Sequence, residues 1–73
     1  MELRKKAAPF RLEQRHIDVV KLLAKGNTAK QIAEKGGVSN KLVESIIGVL
    51  FKEYKCKNAP HLVYTFMKKQ LIK

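Results

Sequence analysis

The stretch TAKQIAEKGGVSNKLVESIIGVLFK, from Thr28 to Lys52, decides the fold. Thr28-Ala29-Lys30-Gln31 has the form of a capping box, with a hydroxyl at the N-cap and a Gln three residues on. The spacing predicts a short helix ending near Lys35, burying Ile32 and Ala33 and stopped by Gly36-Gly37. Ser39 offers a second N-cap, and the apolar periodicity beyond it predicts a helix to about Lys55. Two helices joined by Gly36-Gly37-Val38 have the form of a helix-turn-helix.

On a wheel of about 100° per residue, Leu42, Val43, Ile46, Ile47, Val49, Leu50, Phe51 and Tyr54 fill an arc of roughly 200°. Lys41, Ser45, Gly48, Lys52 and Lys55 share a narrow opposite stripe, with Glu44 at its edge. The pattern predicts a third helix that is mostly buried and keeps one basic stripe.

Outward from this core, Leu12, His16, Val19, Val20 and Leu23 recur at helical spacing and predict a first helix over about Glu13 to Lys25, closed by Gly26. A fourth helix is expected from the N-cap Asn58, with Pro60 in its first turn and Leu62, Val63, Phe66 and Met67 as its apolar face. Residues 1–11 form a basic arm: Arg4, Lys5, Lys6 and Arg11 against Glu2, with Pro9 ending any helix there. Residues 12–73 are then one all-α, four-helix domain.

Seventy-three residues allow one small core and leave little room for a deep catalytic pocket. Sixteen Lys and Arg against six Asp and Glu give a net charge of +10, which points to a polyanionic partner, double-stranded DNA first. The plainer alternative is lysine-rich solubility. The single Cys56 precludes an intramolecular disulfide and fits a reducing, cytoplasmic setting. His16 and His61 lie far apart in the chain, so no metal or other cofactor is expected. No Ser or Cys sits in a nucleophile motif, and no glycine-rich phosphate loop occurs, so no catalytic residue is expected and the chain reads as a non-enzyme. No apolar run is long enough for a membrane span, no signal peptide opens the chain, and no small-molecule site is evident.

The second helix of such a pair enters the major groove by its N-terminal half. Lys41, Ser45, Gly48 and Lys52 would then face the duplex, with lysines on phosphates or guanines and Gly48 allowing close backbone approach. The alternative is an ordinary solvated lysine face.

The chain resembles the LuxR-type, or GerE-like, helix-turn-helix domain over Leu12 to about Ile72. The family's LTxREx-EVLxLLAxG is similar to Leu12-Glu13-Gln14-Arg15 through Leu22-Leu23-Ala24-Lys25-Gly26. Its SNKEIA is similar to Thr28 through Ala33, and its ISxxTVKxH to Val38 through Ile46. Sigma-factor region 4 shares the first three helices but usually lacks the fourth. The resemblance implies a DNA-binding transcription regulator, often dimeric through the fourth helix.

Several residues depart from the family pattern. Leu42, Glu44, Ile46 and Val49 stand where the family has Thr, Lys, His and Asn. The positions that typically read bases hold Glu44, Ser45 and Gly48. A glutamate there either accepts from cytosine N4 or repels phosphate. Lys30, Asn40, Lys41 and Lys52 keep a backbone-contact role, and Thr28 is a further candidate DNA-binding residue. His16, in place of a family Glu, is expected to be structural; Cys56 to be a buried inert thiol; Tyr54 to be core. The family's Leu at Gly36 and Ala at Phe66 imply that the Phe66 ring fills volume vacated at Gly36. An interaction module that kept the fold and lost base reading is the second reading, since Leu42, Val49 and Phe51 flank the buried arc.

Overall fold

A computed structural model describes residues 10–72 as four helices: α1 (Gln14–Ala24), α2 (Ala29–Gly36), α3 (Asn40–Tyr54) and α4 (Ala59–Lys68). Side chains fix three of the four helix starts. The Thr28 hydroxyl accepts from the Gln31 amide at 3.2 Å, the Ser39 hydroxyl from the Leu42 amide at 3.0 Å, and the Asn58 carbonyl oxygen from the His61 amide at 2.9 Å. Each satisfies one of the amides that a helix start leaves without an intrahelical partner. At α1 the bond runs the other way: the Glu13 amide donates to Nδ1 of His16 at 2.8 Å. His16 is only 6% exposed and has the Phe10 ring against it at 5.3 Å. It is therefore a structural residue, in the reach-back role that Glu or Gln fills in a capping box.

The core is two clusters joined through α1 and α3. Val19 of α1 packs with Ile32 and Ala33 of α2 and Val43 of α3. Its neighbour Val20 packs with Leu50 of α3, Leu62 and Phe66 of α4, and Ile72. Leu23 and Ile46 touch both clusters. After α4 the chain turns back through Gln70, at φ 61°, and the Leu71 amide donates to the Phe66 carbonyl at 2.8 Å. That turn seats Ile72 in the core.

α2 runs through Gly36, so the turn is Gly37-Val38-Ser39, one residue later than expected. Gly37 takes the left-handed conformation at φ 66°, and Val38 donates back to Ala33 at 3.0 Å. α3 is not mostly buried. Only Val43 and Leu50 are fully covered, Ile46, Ile47, Phe51 and Tyr54 are half-buried, and Leu42 and Val49 stay 44% and 41% exposed. Three short helices can cover one side of a 15-residue helix and no more. On α4, Met67 is exposed for the same reason.

Phe66 does not fill space at Gly36, because α2 and α4 do not touch. Its ring meets Tyr54 at 5.0 Å instead, and a Cβ at Gly36 would meet only Val38, at 3.8 Å. Phe10, assigned by sequence to the arm, packs on the core with its ring 6.1 Å from Tyr54. Residues 1–9 of that arm lie outside the described residues. Tyr54 sits between these two rings, and burial followed by the Glu53 charge raises its hydroxyl above the usual tyrosine pKa. Cys56 is half-buried rather than buried, its Sγ 3.6 Å from the Thr65 hydroxyl.

The two glycines of the turn should behave oppositely. Gly36 is helical with room for a methyl, so Gly36→Ala should stabilise by up to about 1 kcal/mol. Gly37 has positive φ, so Gly37→Ala should destabilise by about 1–2 kcal/mol. Urea unfolding of both variants measures the difference.

Candidate nucleic-acid interface

The constraint that buries Val43 and Leu50 also fixes what α3 shows to solvent. Opposite them lie Lys41, Ser45, Gly48 and Lys52, all exposed, at helical spacing along one line. Lys41 and Lys52 are about 16 Å apart along the axis, at 1.5 Å per residue. Between them the surface is low, since Ser45 is short and Gly48 has no side chain. A Cβ at Gly48 would meet nothing within 4 Å, so no packing within the protein requires glycine there.

Glu44 is exposed at the margin of this line, and the Asn40 side-chain amide donates to its Oε2 at 3.3 Å. Thr28 and Lys30 belong to the start of α2, both exposed. The Thr28 hydroxyl oxygen is engaged by Gln31, so capping is its observed role. The structure thus places six of the eight sequence-derived positions, Asn40, Lys41, Glu44, Ser45, Gly48 and Lys52, on α3, and two on the helix that precedes the turn.

Two cations join this neighbourhood that the linear sequence did not connect with α3. Arg11 and Arg15 line a groove of about 350 Å³ together with Phe10, Leu42, Ser45 and Val49. Arg15 also pairs with Glu13 at 3.0 Å while remaining exposed. They lie roughly thirty residues from α3 in the chain, and no local spacing could have linked them to it. The groove's apolar wall is the flank of α3 that the other helices leave uncovered.

Other chemistry-bearing residues serve the scaffold. His61 Nδ1 accepts from the Lys57 amide at 3.2 Å, as His16 does from Glu13. Among the described residues no three His, Cys, Asp or Glu come together in a metal-holding arrangement. No described helix is long and apolar enough to cross a membrane.

A short helix, a three-residue turn and a second helix with an exposed basic line, braced by two further helices, define a helix-turn-helix DNA-binding domain. The chain belongs to the luxR family of bacterial regulatory proteins, whose sequence profile matches residues 11–66. It is thus a DNA-binding domain of transcription regulation. It is 40% identical over 65 residues to the oxygen regulatory protein NreC of Staphylococcus carnosus (strain TM300). That match covers 88% of this chain and 30% of the relative, so the chain spans less than a third of that protein's length. No solved structure matches the chain significantly.

The presentation of α3 depends on its cap. Ser39→Ala should lower stability by about 1 kcal/mol and loosen the first turn that carries Asn40 and Lys41. Thermal unfolding followed by circular dichroism reads the first effect, and amide exchange at Leu42 the second.

Proposed function

We propose that the domain docks α3 in the major groove of double-stranded DNA as part of a transcription regulator. The observation that carries this reading is the exposed line Lys41-Ser45-Gly48-Lys52, low in the middle and cationic at both ends. Lys41 and Lys52 reach phosphates on either side while the helix backbone approaches the groove floor. Lys30 and Thr28, at the start of α2, and Asn40, at the start of α3, add backbone contacts. Arg11 and Arg15 extend the cationic rim on the flank of Leu42. The domain acts by binding and not by catalysis, without cofactor or small-molecule ligand, and in the cytoplasm.

We further propose a weak homodimer through α4. Leu23, Ala24, Pro60, Val63, Tyr64 and Met67 line an apolar groove between α1 and α4. Tyr64 is 60% and Met67 53% exposed, with Lys68 Nζ 6.0 Å from the Tyr64 ring centroid. Pairing two copies there would present two α3 helices to two half-sites. The second reading, a protein-interaction module, is favoured by one observation: Leu42 and Val49 are exposed beside the basic line.

Fluorescence anisotropy on a labelled random duplex at several salt concentrations separates the two readings. Lys41→Ala should weaken binding evenly across sequences and flatten the salt slope by about one. Lys69→Ala, just past α4, should leave the slope closer to that of the parent. Equal slopes for the two variants would favour the interaction module. Sedimentation at high micromolar concentration should show self-association that Tyr64→Glu abolishes; a monomeric parent, with and without DNA, would reject the dimer.

A further inference from the structure

We propose that Glu44, steered by Asn40, is the base-selecting residue of α3 and that it selects cytosine. The assignment rests on the docking of α3 proposed above and adds which base edge it prefers.

Glu44 is a carboxylate beside an otherwise cationic line. Among the described residues the only ion pair is Arg15 with Glu13, and no described lysine is paired with Glu44. A free carboxylate held against phosphate would be repelled and would weaken the very contacts that Lys41 and Lys52 make. Turned toward the base edges, the same group meets a different set of partners. Only cytosine N4 and adenine N6 donate hydrogen bonds in the major groove. Guanine O6 and N7 and thymine O4 are acceptors and repel a carboxylate. Adenine also carries the acceptor N7 next to its donor, which leaves cytosine as the better match.

The local geometry supports this direction. Asn40 lies one turn before Glu44, and its amide holds Oε2 at 3.3 Å. No other hydrogen bond to the carboxylate is seen among the described residues, which leaves Oε1 without a partner among them. The amide restricts the rotamers of a flexible side chain before DNA arrives, which lowers the ordering cost on binding. Asn40 is thus a positioning residue. Ser45 and Gly48 are the short neighbours that let α3 sink until a glutamate can reach a base edge. Serine and glycine add no long competing reader on that surface.

The test is selection from a random duplex pool with the whole chain, sequenced before and after binding, for the parent, Glu44→Ala, Glu44→Gln and Asn40→Ala. All three changes fall on exposed positions, and circular dichroism confirms the fold. The parent should enrich a C·G pair at one position by about tenfold, near the low end of what one mismatched pair costs. Glu44→Ala should flatten that position alone while binding to random duplex holds or tightens, because a negative charge is lost. Glu44→Gln should move the preference to adenine, which glutamine contacts through N6 and N7. Asn40→Ala should keep cytosine and reduce its enrichment. A parent that binds random duplex with a steep salt slope but enriches no cytosine overturns the assignment and leaves the docking standing. Cytosine enrichment unchanged in Glu44→Ala does the same. A parent with no salt-dependent binding to any duplex overturns the docking, and the assignment with it.

Discussion

Everything in this domain depends on two adjacent valines in α1. Val19 and Val20 point about 100° apart around α1, and each belongs to its own cluster. Val19 holds α2 against the first half of α3 through Ile32, Ala33 and Val43. Val20 holds α4 and the returning tail against the second half through Leu50, Leu62, Phe66 and Ile72. Val43 and Leu50 are seven residues apart, two turns, and therefore lie on one face of α3. With that face pinned at both ends, the rotation of α3 about its axis is fixed, and so is the line it shows to solvent. Burial of apolar area drives this, and close packing makes it unique.

Short polar devices set where each helix begins, and the clusters then only need to choose how the helices meet. Thr28, Ser39 and Asn58 each accept from an amide three residues on, and His16 accepts from the Glu13 amide. These bonds are local and contribute roughly 1 kcal/mol each. Their larger effect is on register: one residue of slip in α3 would rotate its face by about 100° and bring Leu42 or Glu44 toward the core. Gly37 contributes at the same point, since only a residue at ease with positive φ lets α2 end and α3 begin within three residues.

The outward surface of α3 combines three chemistries. Lysines at the two ends favour a polyanion, short residues between them favour close approach, and a lone glutamate disfavours phosphate. Beside them runs an apolar flank, Leu42 and Val49, facing a groove rimmed by Arg11 and Arg15. Membership of the luxR family accounts for the scaffold. On that scaffold the glutamate and the apolar flank are both exposed beside the basic line.

Local rules made much of this legible beforehand. The four helices, the caps at Thr28, Ser39 and Asn58, the closing Gly26 and the basic line of α3 all follow from spacing and residue type, because helix periodicity and capping act within a few residues. The extent of burial was not legible. The apolar arc of α3 is wider than its neighbours can cover, and only the number and length of those neighbours leaves Leu42 and Val49 in solvent. Nor was the partner of Phe66 legible: its ring meets Tyr54, because α4 packs on α1 and α3 and never reaches α2. Phe10, Arg11 and Arg15 join the surroundings of α3 across a gap of some thirty residues. Residue type and spacing alone set which segments are helical, where they start and which stripe of α3 is basic. The tertiary structure decided how much of each apolar face is covered and which distant cations stand beside that stripe, because long-range packing depends on the shapes of all four helices at once.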